Sequence, residues 1–197
     1  SYWARLIYTF NEKYILTATV RQDGSTRFGL KGDPARWGTF PSLAAAWRIS
    51  EEDFLKNSKV VNDLKLRAAY GVNGNQAIFG SFPFLPIYAI SNATAQYQFG
   101  NQFFQMFRPG AYDPNIKWEE LRSWNVGLDF SLYDNRISGS VEYFFKQNVD
   151  LLNTIPIPAG TNFSNQLTTN VGQLDTRGFE FTLSRVPVKT KNVVWDL

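Results

Sequence analysis

The chain has 197 residues, 44% of them hydrophobic and 16% aromatic, with a formal net charge of +3 from 20 basic and 17 acidic side chains. That is too apolar for a disordered chain, and the mild, scattered positive charge argues against nucleic acid as a partner. The absence of cysteine and histidine excludes disulfides, thiolate nucleophiles, the usual zinc ligand sets and the common general base at neutral pH.

Apolar residues recur with a period of two along almost the whole chain, which is the signature of strands. The first predicted strand, Tyr2 to Phe10, puts Leu6, Tyr8 and Phe10 on one side. After Asn11-Glu12-Lys13 comes a second apolar row, Tyr14, Leu16, Ala18 and Val20, opposed by Thr17, Thr19 and Arg21. Asp23-Gly24 then reads as a turn, with Arg27 a partner for Asp23. Leu43, Ala45, Trp47 and Ile49 make a third row. Ser50 reads as a helix N-cap followed by acids in the first turn, where the helix dipole favours them. Leu64, Leu66, Ala68, Tyr70 and Val72 follow, opposed by Lys65, Arg67, Ala69 and Gly71, and Gly71 to Gln76 reads as a strand exit.

The segment Ser123 to Phe145 predicts a long hairpin. A two-residue type I′ turn at Asp134-Asn135 suits residues that tolerate positive φ. Its register sets Tyr133 against Arg136, Leu132 against Ile137, Phe130 against Gly139, Leu128 against Val141, Val126 against Tyr143 and Trp124 against Phe145. The polar face receives Asp129 with Ser140 and Ser131 with Ser138; a slip of one residue would scramble both faces. Phe179, Phe181 and Leu183 form a further row, and Val193 and Trp195 open a last, incomplete strand. The total is roughly eight antiparallel strands. Alternating segments at both termini point to a piece of a longer chain.

No apolar run approaches the ~20 residues of a membrane-spanning helix, so any membrane role falls to strands. Alternation alone also fits a soluble β-sandwich, such as a carbohydrate-binding module. Three features favour a membrane barrel. Ser123 to Tyr133 and Arg136 to Lys146 have the length of tilted membrane strands, about 9–11 residues. Aromatics sit at both ends of the hairpins: Phe10, Tyr14 and Tyr133 at one, Trp124, Tyr143 and Phe145 at the other. Short and long connections alternate, the long ones being about Gln22 to Arg36, Asn73 to Glu119 and Gln147 to Thr169. In that reading Trp124, Val126, Leu128, Phe130 and Leu132 face lipid, while Asn125, Asp129, Ser131, Ser138, Ser140 and Glu142 face a lumen.

The blocks "YILTATVRQDGSTRFG", "RWGTFPSLAAAWRISEEDFLK", "LKLRAAYGVNGNQ", "DPNIKWEE", "WNVGLDFSLYDNRISGSVEYF" and "NVGQLDTRGFEF" occur in this order. Together they resemble SusC-like TonB-dependent outer-membrane transporters of the SusC/RagA type, across nearly the whole chain. The resemblance implies an all-β, antiparallel transmembrane barrel of about 22 strands, of which residues 1–197 would be part of the C-terminal half. It implies short periplasmic turns, long extracellular loops and an integral Gram-negative outer-membrane location. It further implies import of glycan or peptide oligomers, a SusD-like surface lipoprotein as lid, and a TonB complex acting through an N-terminal part outside this stretch. No cofactor is implied.

No catalytic constellation is expected. Glu51-Glu52 and Glu119-Glu120 are adjacent, and neighbours in a strand point to opposite faces, so neither pair fits glycosidase geometry. Glu119 reads as a loop anchor beside Trp118, and Asp113-Pro114-Asn115 as a turn. The central loop is the richest ground for recognition. Phe79, Phe82, Phe84, Tyr88, Tyr97, Phe99, Phe103, Phe104 and Phe107 crowd it among Asn and Gln. Aromatic platforms with amide partners suit sugars and peptides, and they equally suit a protein interface. Tyr88, Tyr97, Phe103, Phe104 and Phe107 are the expected ligand contacts.

Overall fold

The computed structural model describes residues 1–77, 82–158, 160–189 and 194–195. Phe79 and Val193 lie outside them. Seven strands form one antiparallel sheet, each hydrogen-bonded to the next in chain order. The first four are β1 (Tyr2–Phe10), β2 (Tyr14–Gly24), β3 (Trp37–Arg48) and β4 (Val61–Asn75). Four short strands follow in the central loop: β5 (Tyr88–Ile90), β6 (Gln96–Phe99), β7 (Gln102–Gln105) and β8 (Phe107–Pro109). The sheet resumes with β9 (Glu119–Leu132) and β10 (Ile137–Val149). A small hairpin, β11 (Leu152–Pro156) with β12 (Gln166–Asn170), precedes β13 (Gln173–Arg185), the seventh strand of the wall. Of the expected eighth strand the described residues hold Val194–Trp195 (β15), paired with Val188–Lys189 (β14).

The β9–β10 register matches the sequence expectation at every pair from Leu132↔Ile137 to Trp124↔Phe145. Period two fixes it, because any slip would turn one apolar face outside in. The outward row runs unbroken across the sheet. Leu128 lies beside Leu66 and Val141, and Val141 beside Phe181; on the other side Ala45 lies beside Leu16 and Ala68, and Leu16 beside Tyr8. Leu6, Leu43, Val126 and Phe181 stay between 50% and 74% exposed on this face.

Three local expectations are corrected. The reversal after β9 is not a two-residue turn: Tyr133, Asp134 and Asn135 all have positive φ (53°, 56° and 61°), so strand pairing stops at Leu132↔Ile137 and the expected Tyr133–Arg136 pair belongs to the turn instead. The side chain of Asn62, at a bulge in β4, accepts from the Asp134 amide at 2.8 Å, and the carbonyl of Val60 accepts from that of Tyr133. Asp23-Gly24 is not a turn either. Both residues pair in β2, opposite Gly38 and Trp37, because the hydrogen-bonded ladder outweighs the turn propensity of the dipeptide, and Asp23 takes Arg21 as its ion partner at 2.8 Å. Ser50 does not cap a helix. It lies inside a 3-10 turn, Ile49–Glu51, buried, with its hydroxyl donating to Asp63 Oδ1.

The buried core is small and sits at the long-loop end: Phe28, Phe40, Val72, Phe84, Ile116 and Trp118. Pairing between β3 and β4 ends at Ser42↔Gly71. Beyond it Phe40 reaches across to Gly74, where an added Cβ would stand 1.9 Å from the ring, so no side chain fits there. Trp118 covers this junction, with ring centroids 4.8 Å from Phe28 and 5.5 Å from Phe40.

Candidate functional site

Alternation along the wall gathers its polar residues on one face. Lys65 and Arg67 from β4 both reach Asp129 on β9, at 3.0 and 3.1 Å. Arg67 also reaches Glu142 on β10 at 2.5 Å, and Asn125 donates to the same carboxylate. Gly127 lies beneath the guanidinium, where a Cβ would sit 3.1 Å from it, so a side chain there would press on Arg67 where it bridges two strands. The network ties β4, β9 and β10 side chain to side chain and balances two cations with two carboxylates. Further along the same face Phe144 lies over Gly178, with Lys146 Nζ 4.8 Å from the ring.

At the short-turn end Glu52 gathers three donors. Lys13 Nζ donates at 2.9 Å, the Tyr14 hydroxyl at 2.8 Å and Trp47 Nε1 at 3.0 Å. These hydrogen bonds, that of Lys13 first, hold the Glu52 carboxyl down at about 2.

At the opposite end the long loops are fastened to one another. The Asn170 amide accepts from Lys117 N and donates to the carbonyls of Lys117 and Asp150. Thr169 donates to Asp113, Lys117 pairs with Asp150 at 2.8 Å, and Asn162 donates to the Tyr112 carbonyl. Glu119 accepts from Leu152 N and from Asn75, which makes it the anchor its sequence position suggests. Asn115 N donates to Asp113 Oδ1, closing the expected turn.

From this base the central loop rises as a narrow β-ribbon, β5 with β8 and β6 with β7, joined through Met106 N to Ala95 O and Ser91 N to Met106 O. Not one Asp, Glu, Lys or Arg occurs from Ala77 to Phe107. Tyr97 stands directly opposite Phe104, and Phe99 shares their face. Phe103 is opposite Gln98, on the other face with Gln96 and Gln105. Tyr88 is opposite Pro109, and Phe107 opposite Ile90. The five expected contact residues are all exposed on the ribbon, but they are not one surface: one face is aromatic and the other is mostly amide.

The sequence matches, over residues 1–197, the family described as TonB dependent receptor-like, beta-barrel. The chain belongs to that family. It is 46% identical to the TonB-dependent receptor SusC of Bacteroides thetaiotaomicron, covering 100% of this chain and 19% of that protein. Among solved structures it is similar to the RagAB peptide transporter, with a TM-score of 0.80 and 25% identity over 96% of this chain and 20% of the other. The structure of the RagAB peptide importer in its "closed-closed" state gives 0.79 at the same identity and coverage. The chain therefore spans about a fifth of the length of these relatives.

As part of a TonB-dependent receptor barrel the sheet is an integral piece of outer-membrane wall, in a family of transporters rather than enzymes. This settles which side is oily. The Trp124–Leu132 row and its neighbours meet hydrocarbon, and the Arg67 face meets the lumen. The sandwich reading falls, since outward residues such as Leu183 (71% exposed) have no second protein layer over them among the described residues. Sequence reasoning placed Lys65 and Arg67 on a polar row but did not join them to Asp129 and Glu142, because the β4–β9 register crosses the longest connection in the chain. It also missed the Phe28–Phe40–Trp118 cluster, whose members come from three separate segments.

Proposed function

We propose that this wall belongs to an importer of nutrient oligomers, glycans or peptides. Its short turns face the periplasm, its long loops face the outside, and a SusD-like lipoprotein closes over the loop end. Energy would come from a TonB complex acting through another part of the protein. The observation that carries this reading is the loop end itself: a base fastened by side-chain-to-backbone bonds, bearing a ribbon whose outer part, β6 with β7, is uncharged and has one aromatic and one mostly amide face. A ring face covers apolar surface and amides supply hydrogen bonds, which is what a neutral polymer or a lid surface asks of its binder. Likeness to SusC and to the RagAB peptide transporter supports import without choosing between the two cargoes.

The test is to replace residues 91–106 of the full-length transporter with Asn-Gly, which closes a short turn between Ile90 and Phe107 and keeps the β5–β8 pairing. Oligomer uptake is expected to fall on the order of tenfold or more, as removal of several aromatic anchors implies, with less lipoprotein retained on purification. Wild-type uptake and wild-type retention in a correctly folded variant would overturn the reading.

A further inference from the structure

The connection from β3 to β4, at the short-turn end, is much longer than the turns on either side of it. Glu52 fixes where it runs. Its carboxylate accepts from the Tyr14 hydroxyl and from Trp47 Nε1, and both side chains belong to the lipid row: Tyr14 pairs with Trp47, and Trp47 with Leu66. The backbone then turns tightly, with Leu55 N and Lys56 N both donating to the Glu52 carbonyl, at 2.9 and 2.8 Å. Phe54 lies within this turn and is 74% exposed. Neighbours are present on both sides: Lys13 of the β1–β2 turn bonds Glu52, while Val60 and Asn62 accept from the turn after β9. They leave Phe54 uncovered. The acids of the connection are matched, Glu51 with Arg48 at 3.1 Å, Glu52 with Lys13 at 2.9 Å, and Asp53 at 3.9 Å from the same ammonium. Lys56 and Lys59 are exposed, and among the described residues neither has a carboxylate in ion-pair range.

We propose that this connection is a membrane-interface anchor: Phe54 enters the lipid leaflet at the short-turn end, and Lys56 and Lys59 meet phospholipid phosphates. Continuity with the hydrocarbon-facing wall selects lipid as the occupant. Phe10, Tyr14 and Trp47 form a run of rings on the outward face, with centroids 6.4 and 6.3 Å apart, and Glu52 ties the connection to the last two. An aromatic ring added to such a belt gains apolar contact at the depth where headgroups begin. A lysine beside it lays its alkyl stem along the apolar zone and holds its ammonium among the phosphates. The anchor would thus extend the interfacial belt from the strands into a connection. It rests on the wall being in the membrane, and on the proposed orientation only for naming that leaflet the periplasmic one.

The test uses the full-length transporter, with folding verified by heat-modifiable gel migration. Single cysteines in a cysteine-free background carry a nitroxide at Phe54→Cys, at Val126→Cys on the lipid row and at Gln102→Cys on the exposed ribbon. In vesicles of phosphatidylethanolamine and phosphatidylglycerol, accessibility to oxygen and to a water-soluble nickel chelate reports depth. The label at 54 is expected to favour oxygen, at a depth between the other two. A value equal to that at 102 places the turn in water and overturns the anchor. Low accessibility to both reagents means that protein covers the site, and overturns it equally. The second readout is the thermal transition in detergent micelles. Added phosphatidylglycerol is expected to raise it, and the double variant Lys56→Gln, Lys59→Gln to lose most of that rise, as is Phe54→Ser. A rise unchanged in both variants would overturn the anchor, and the same rise from inorganic phosphate would overturn its assignment to lipid. Neither readout involves cargo, so oligomer uptake measured in cells tests the import reading separately.

Discussion

The wall and the loop end belong to one chain but are held together in different ways. In the wall, order comes from the backbone ladder, and the large outward side chains touch little protein because their partner is lipid. At the loop end the ladder gives out, and order comes from buried rings and from side chains such as Asn170 that bond backbone groups directly. The wall is therefore specified by a pattern, whereas the loop end depends on individual residues. A substitution in the first should act through its face, and in the second through its particular contacts.

The largest effect is expected at the loop end. Trp118 is 8% exposed and bridges Phe28 and Phe40, so Trp118→Ala should cost about 3–5 kcal/mol, read from urea unfolding of the reconstituted protein. An unchanged midpoint would mean that the loops are held by their polar bonds alone. Next comes the wall. Leu128→Arg puts a charge on the lipid row between the Trp124 and Tyr133 levels and should cost about 2–4 kcal/mol in a bilayer-folding equilibrium. Ser140→Arg, on the lumen face opposite Asp129, should cost far less. Equal costs for the two would erase the distinction between the faces.

The smallest effect belongs to the short-turn end. The native Glu52 carboxyl is held at about 2, below its ordinary value of 4.5, so the folded state binds this proton less readily than the unfolded one. Its stabilisation is complete above 4.5 and fades as pH falls through 2. Thermal melts between pH 6 and 2 should show this loss in the wild type and a shallower slope in Glu52→Gln.

Much of the wall was legible in advance. Strict alternation from Ser123 to Phe145 suffices to place the pairs from Leu132↔Ile137 to Trp124↔Phe145, since only one register keeps both faces intact, whereas the turn dipeptide understates the width of the bend. Turn chemistry misled where it competed with a ladder: Asp23-Gly24 has strong turn character, yet β2 and β3 pair straight through it. The ribbon's aromatics were visible as a crowd, but their division into two faces depends on the Tyr97↔Phe104 register, which no alternation in that stretch fixes. The Phe40–Gly74 contact was invisible because it joins two glycine-rich strand ends whose proximity only the folded sheet creates.

The clasp of Asn62 and Val60 on the turn after β9 has a consequence for assembly. The β9–β10 hairpin can close locally, but the amides of Tyr133 and Asp134 find their acceptors only when β4 arrives in its native alignment. A neighbour inserted out of step would leave those exposed donors to water and forfeit about 0.5–1.5 kcal/mol for each hydrogen bond, so the bend favours the native alignment of β4 over a slipped one.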